Sequence, residues 1–320
     1  MMKAIRVHEF GGPEVLRLEE IPVPTPGPGE VLVKVEAIGV NPVETYQRGG
    51  SNPALPLPWT PGTDAAGVID AVGPGVEPWE PGDRVYTSAS TSGAYASWLT
   101  ALSSGVHSLP DRLSAAQGAA IGIPYATAWR ALVQRGQARA DEVVLVHGAS
   151  GGVGVAAVQI AHSLGLQVIG TAGSPEGAEL VRAQGADHVL DHSKPGYLDA
   201  LPALTGGAGP ALILEMLSNV NLAQDARIIA KRGRIIVIGC RGPIEINPRD
   251  LMIREADVRG LLLFNATPEE LAEVHHGLAA GLKDGSLNPV VSRQFPLAEA
   301  AAAHAAVMKN GAAGKIVLTH

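Results

Sequence analysis

At 320 residues, 46% hydrophobic and 17% charged, the chain is long enough for two domains with sizeable cores, and its composition argues against disorder. A formal net charge of −7 opposes nonspecific attraction to nucleic acid or anionic membranes. The single cysteine, Cys240, excludes an intrachain disulfide and a thiolate zinc cluster. The opening MMKAIRVHEF has no signal-peptide core, and no apolar run approaches the roughly 18–20 residues that span a bilayer, so the expected compartment is the cytoplasm.

Residues 1–118 read as β-rich. Short alternating runs at Ala4 to Val7, Val31 to Ala37 and Gly67 to Val72 are separated by turns dense in Pro and Gly, such as PVPTPGPGE at 22–30 and EPWEPGDRV at 77–85. The Pro22–Pro28 stretch fits a stiff connector better than a polyproline ligand. From Ser114 the character changes: SAAQGAAIGI starts a helix behind a Ser cap, and GIPYATAWRALVQRG continues helical after its proline.

The stretch VVLVHGASGGVG, 143–154, organises the second half of the chain. Val143 to Val146 reads as a strand buried on both faces; it runs into Gly148-x-x-Gly151-x-x-Gly154, and apolar residues then repeat with helical spacing from Val153 to Leu164. Glycines let backbone N–H groups approach a pyrophosphate, and a helix N-terminus adds unpaired donors and partial positive charge. A tight βα turn that binds nothing would also show three spaced glycines in a chain with 39 of them, but the flanking strand and helix favour a dinucleotide site.

Strand and helix then alternate: strands at Val168 to Ala172, His188 to Asp191, Ala211 to Leu217, Arg234 to Gly239 and Val258 to Phe264, with helices at Pro175 to Gln184, Tyr197 to Leu204 and Leu222 to Lys231. This rhythm implies a parallel sheet covered on both faces, the doubly wound nucleotide fold. Two alanine-rich helices, 268–283 and 297–309, and an end strand Lys315 to Leu318 form a tail expected to return to the first domain. No fixed-period repeat is present.

Five motifs carry a resemblance. GVNPVETY at 39–46, PGTDAAGVI at 61–69, AAIGIPYATAWRAL at 119–132, VHGASGGVG at 146–154 and IEINPRD at 244–250 resemble the zeta-crystallin-type quinone oxidoreductases, a zinc-free branch of the medium-chain dehydrogenase/reductase superfamily. The resemblance runs from Ala4 to Leu318. It implies an α/β protein with a GroES-like β-rich catalytic domain, 1–123 and 266–320, around a Rossmann domain with a doubly wound parallel sheet, 124–265. It further implies NADPH as cofactor, reduction of quinones or activated alkenes, and dimers or tetramers paired through the Rossmann sheet edge. Relatives also serve as lens structural proteins or RNA binders. The acidic balance opposes RNA, and the complete glycine turn opposes a purely structural role.

In the zinc alcohol dehydrogenases of this architecture the catalytic ligands align with Asn41, the Thr63-Asp64 pair and Ile123. Asn and Thr are not usual zinc ligands and Ile cannot bind a metal; the structural lobe's cysteines are missing, and adjacent His275 and His276 point apart on a helix. No metal is therefore expected. For the cofactor, the glycine turn and the resemblance imply contacts at Ser150, Gly151, Gly152, Val153, Gly173, His192, Asn221, Ile238, Gly239, Cys240, Arg241, Leu261, Leu262 and Leu263, with Ser174 as a local donor beside Gly173. Independently, Gly170-Thr171-Ala172-Gly173 ends the second strand without the acid that NAD-preferring folds place there. Some bacterial relatives carry a lysine just after it, where this chain has Ser174-Pro175-Glu176, which weakens the preference for a 2′-phosphate.

At the reacting end the resemblance points to Asn41 and Tyr46, as catalytic and cofactor-binding residues, and to Thr127. An amide can align the nicotinamide, a phenol can hydrogen-bond an oxygen gaining negative charge, and a threonine hydroxyl can orient the carboxamide. From the bare sequence, Tyr46 fits a half-buried tyrosine with a satisfied hydroxyl equally well, Asn41 before Pro42 a turn residue, and Arg241 a solvated loop charge; His147 reads as structural. No nucleophile elbow is present.

Overall fold

The computed structural model describes residues 1–311 and 313–320. The chain divides into two compact units, one of Met1–Ile123 with 288–310 and Gly314–His320, the other of Pro124–Leu287 with Gly311 and Ala313.

In the first unit, Glu30–Gly39 is the central strand. Val31, Val33 and Val35 are buried while Lys34 and Glu36 face out, the period-two pattern of a strand with one covered face. The seven-stranded sheet runs Val291–Pro296, Lys315–Thr319, Glu30–Gly39, Ala65–Val72, Arg84–Thr87, Val106–Ser108, with Trp98–Leu102 also pairing Glu30–Gly39. Every pairing is antiparallel except Val291–Pro296 with Lys315–Thr319. Ile5, Ile38, Ile69, Tyr95, Leu99, Phe295 and Leu318 share its core. The C-terminal strand thus completes a sheet begun at residue 30, as the returning tail predicts. Its neighbour Val291–Pro296 is not expected from sequence: Ser292, Arg293 and Gln294 are all exposed, so this sheet-edge strand carries no alternation to read.

In the second unit six parallel strands stand in the order His188–Asp191, Gln167–Ala172, Val143–Val146, Leu212–Glu215, Arg234–Val237, Asp257–Gly260. This is the doubly wound Rossmann order, with its topological switch between Val143–Val146 and Leu212–Glu215. The fourth and fifth strands end two residues early, at Glu215 and Val237, and two spans shift further. The sixth strand stops at Gly260, and the fourth crossover helix is Ser218–Ile228, starting four residues early because Ser218, Asn219 and Asn221 are weak helix formers that hide its first turn. Among the described residues no helix is long and apolar enough to cross a membrane.

Helix Pro268–Asp284 differs from the expected domain boundary at 265/266. It packs in the second unit, against the helical stretch Gly122–Trp129 and its π-helical continuation Arg130–Arg135. Arg130 donates to Glu270 at 2.8 Å, and Gln134 Nε2 donates to the Glu270 carbonyl at 3.0 Å and to Glu273 at 2.9 Å. The apolar stripe Val274, Leu278, Leu282 shows that the helix must be covered, without saying by what. Gly277 lies against the Trp129 ring so closely that a Cβ would collide with it. Gly277→Ala should therefore destabilise by about 1–3 kcal/mol from overpacking despite alanine's higher helix propensity, read as a lower urea midpoint at unchanged slope.

Candidate active site

The glycine turn is built as the sequence implies. Val144, Leu145 and Val146 are fully buried, Gly148 takes the left-handed conformation at φ +57, and Gly151 caps helix Gly152–Ser163. A Cβ on Gly154 would strike the Gly148 carbonyl, so only glycine lets the helix begin beneath the turn. The turn is tied to the second strand: Gly148 N–H donates to Thr171 Oγ1 at 3.1 Å, and Ala149 N–H to the Thr171 carbonyl at 2.9 Å. Ser150, Gly151, Gly152 and Val153 thus lie at a helix N-terminus whose first N–H groups have no intrahelical acceptor.

The other strand ends join this edge. Gly173 and Ser174 follow the second strand, and the Ser174 hydroxyl accepts from Gly177 N–H at 3.1 Å to cap Pro175–Ala183. His192 follows the third; its N–H donates to the Ala172 carbonyl at 3.0 Å, and its Nδ1 is 3.1 Å from Thr171 Oγ1. A Cβ on Gly173 would sit 2.5 Å from His192 Nε2, so the glycine makes room for the imidazole. Burial, then the nearby His147, pushes the His192 pKa down, which leaves the ring neutral at pH 7. No carboxylate ends the second strand; Glu176 lies in the following helix.

After the fourth and fifth strands two loops are laced together. Ser218 N–H donates to the Gly239 carbonyl at 2.9 Å, and Arg241 N–H to Asn219 Oδ1 at 2.8 Å. This aligns Asn221 with Ile238, Gly239, Cys240 and Arg241, while Leu261, Leu262 and Leu263 follow the sixth strand. The carboxyl edge of one sheet therefore carries all of these residues, where ligands of open α/β sheets bind. Thr127, 5% exposed, lies instead on helix Gly122–Trp129.

In the first unit, Asn41 is not simply a turn residue: it caps helix Pro42–Arg48, with its N–H donating to Glu44 Oε2 at 2.9 Å. Sequence reading misses this helix because seven residues hold too little periodicity, although Asn41-Pro42 with Glu44 is a start signal. Asn41 is 3% exposed and its amide is committed internally. Nδ2 donates to Asp64 Oδ2 at 2.9 Å and to Glu44 Oε1 at 3.3 Å, and Oδ1 accepts from the Lys315 ammonium. The expectation that this amide aligns a nicotinamide therefore meets a side chain with no spare donor. Tyr46, on the same helix, is 36% exposed.

Lys315 does not stand out in the sequence, since a lysine opening a terminal strand carries no signal. It is 5% exposed, and Nζ also lies 3.3 Å from Asp64 Oδ2, whose Oδ1 accepts from Ile123 N–H at 2.8 Å. Of the positions aligned with zinc ligands, Asn41, the Thr63-Asp64 pair and Ile123, all but Thr63, whose buried hydroxyl has no partner, are thus joined around a lysine. Zinc does not fit: the only carboxylate among them is already paired with a buried cation. The network continues from Glu44 Oε2 through the Tyr95 hydroxyl at 2.8 Å to His304 Nε2 at 3.0 Å and Arg48 at 3.0 Å. Burial pushes the Glu44 carboxyl up to about 6 and the His304 imidazole down to about 3. Lys315→Met should leave Asp64 buried and unpaired and cost about 3–5 kcal/mol in denaturant unfolding.

Known proteins match both units. Residues 27–111 fit the alcohol dehydrogenase GroES-like domain and residues 152–280 the zinc-binding dehydrogenase family. Human quinone oxidoreductase is 50% identical over 99% of this chain and 98% of its own length, and the rat enzyme of that name is 49% identical over the same shares. Among solved structures, the Escherichia coli quinone oxidoreductase in complex with NADPH superposes with a TM-score of 0.88 at 30% identity, covering 99% of this chain and 100% of that one. An NAD-dependent alcohol dehydrogenase reaches a TM-score of 0.93 at 31% identity, with both chains fully covered. A relative half identical along nearly its whole length assigns the lineage: the chain belongs to the zeta-crystallin-type quinone oxidoreductases of the medium-chain dehydrogenase/reductase superfamily.

Proposed function

We propose that the chain is an NADPH-dependent quinone reductase that works without zinc. The observation that carries this reading is Lys315, whose ammonium is held by Asn41 and Asp64 among the positions where metal-dependent relatives would place their ligands. Without a Lewis acid to polarise a simple carbonyl, the substrate must itself accept hydride readily, as quinones do.

The strand-end residues fit a dinucleotide. Ser150, Gly152 and Val153 present N–H donors to the pyrophosphate, with Gly151 between them closing the turn onto the Gly148 carbonyl; Gly173 and Ser174 leave the adenosine ribose free of carboxylate repulsion, and Asn221, Ile238 to Arg241 and Leu261 to Leu263 line the remainder. When bound, NADPH supplies the hydride. Tyr46 is the group assigned to the substrate oxygen, its exposed phenol donating as negative charge develops there; Asn41 serves by holding the start of the Tyr46 helix, and Thr127 is assigned to the carboxamide. A homodimer or homotetramer is supported by strand Asp257–Gly260, which ends the sheet with one unpaired edge and has Val258, Leu262 and Phe264 exposed beside it. A reduced dinucleotide and one exposed thiol, Cys240, suit the cytoplasm.

NADPH should raise the melting temperature more than NADH at equal concentration, a ligand at about 100 times its dissociation constant adding roughly 2.7 kcal/mol. Ala172→Asp should reverse the order through repulsion of the 2′-phosphate, and equal shifts in the parent protein would remove the argument from the missing acid.

Followed by NADPH oxidation at 340 nm, 9,10-phenanthrenequinone should give a kcat/KM at least about tenfold above 2-cyclohexenone, near 1.4 kcal/mol in transition-state binding. Tyr46→Phe should lower kcat with the quinone and leave NADPH affinity nearly unchanged. A faster enone would make the protein an activated-alkene reductase, and a mutant defective only in cofactor affinity would remove Tyr46 from the chemistry.

A further inference from the structure

Below the glycine turn, three ionisable side chains close on one another inside the second unit. His147 follows the first parallel strand, Glu215 ends the fourth, and Asp225 lies on helix Ser218–Ile228. His147 is 2% exposed and both acids are fully buried. His147 Nε2 lies 2.9 Å from Asp225 Oδ1 and 3.6 Å from Glu215 Oε2, and one ligating atom from each residue falls within 4.8 Å of the others. Glu215 Oε1 is satisfied: it accepts from the Leu217 N–H and from Asn221 Nδ2 at 3.2 Å.

Two oxygens are not. Glu215 Oε2 and Asp225 Oδ2 are buried with no donor, although one oxygen of each carboxyl lies within 4.8 Å of an oxygen of the other. Facing carboxylate oxygens in a dry interior repel unless something positive lies between them. His147 does not fill that role: burial keeps its ring neutral, and its Nε2 lies nearest the other oxygen of Asp225, at 2.9 Å. We propose that Glu215 and Asp225 share a single proton, and that the resulting carboxyl pair is a positioning element for the cofactor, since Glu215 anchors Asn221 and the first turn of its helix. The second half rests on the reading of Asn221 as a cofactor contact.

The surroundings favour the proton. Burial raises both carboxyl pKa values, burial lowers that of His147 so that the ring stays neutral, and no lysine or arginine pairs with either acid among the described residues. The other titratable groups facing the cluster are Tyr197, whose phenol burial and then these carboxyls push up to about 12, and His192, which feels His147. An acid whose pKa is raised by folding binds its proton more tightly in the native state, so its stabilisation is greatest at low pH. That stabilisation is lost as pH climbs from the ordinary carboxylate range through the folded pKa. Above it, two adjacent negative charges strain the Glu215–Asn221 hydrogen bond and weaken cofactor binding.

Glu215→Gln and Asp225→Asn test this because each amide carries a donor where the shared proton lies, whereas Glu215→Ala and Asp225→Ala do not. NADPH dissociation constants would be measured by fluorescence on the full chain from about pH 6 to about pH 9. Any titration of the cofactor's own phosphate cancels between variants. The wild-type constant should rise at least about fivefold more over this range than that of Glu215→Gln, and both amide variants should keep melting temperatures well above their alanine counterparts. Matching pH profiles, or amide variants as unstable as the alanine ones, would overturn the proposal. So would one equivalent of zinc or manganese retained through dialysis by wild type and lost in Glu215→Gln, which would put a cation where we place the proton. Asn221→Ala separates this proposal from the reading it rests on. NADPH affinity unchanged by that substitution defeats the cofactor role of Asn221, whereas weakened affinity beside a pH-silent pair defeats only the shared proton.

Discussion

A lysine ammonium buried to 5% exposure is the constraint on which the first unit depends. Removing such an ion from water costs several kcal/mol, which only close and well-directed partners offset. Lys315 finds them in Asn41 Oδ1 and Asp64 Oδ2, 274 and 251 residues away along the chain. Those contacts require the C-terminal strand to close beside Glu30–Gly39, with Val317 opposite Gly39. The same contacts explain why Asn41 begins a helix there: its amide is oriented by Lys315 and Asp64, and its backbone by Glu44.

Charge in this centre is balanced by chaining rather than by isolated pairs. Glu44 is fully buried and meets Asn41 and the Tyr95 hydroxyl, which in turn meets His304 and, through it, Arg48. A buried network is stable only when each member is satisfied, so single substitutions within it are felt along the chain of bonds. The same bonds hold the start of the helix that carries Tyr46.

The second unit solves a different problem with the same economy of charge. Its strand ends carry backbone N–H groups, glycines and a neutral His192; Glu215 and Asp225 near that edge are fully buried, and Asp191, which ends the third strand, pairs with Lys194 at the surface. Glu215, one of the buried acids, also holds Asn221 at the start of the following helix.

Local pattern determined much of this architecture. The run Val143 to Val146 with three spaced glycines, and the repeated strand and helix beyond, depend on short-range periodicity and were legible as a doubly wound fold with a dinucleotide at its edge. The strand-end residues came from the family resemblance, and the parallel sheet sets them along one edge. Tertiary structure alone decided what lies far apart in sequence. Lys315 sits in an ordinary-looking strand, and only closure of the sheet turns it into a buried cation against Asn41 and Asp64. Asp225 reads as one polar residue of a helix, and only the crossing of that helix over the strand ends brings it to His147 and Glu215. Helix Pro268–Asp284 showed its apolar stripe but not its partner, which Trp129 and Arg130 supplied. Periodicity tells which face of an element must be covered; pairing across hundreds of residues depends on packing, which no local window contains.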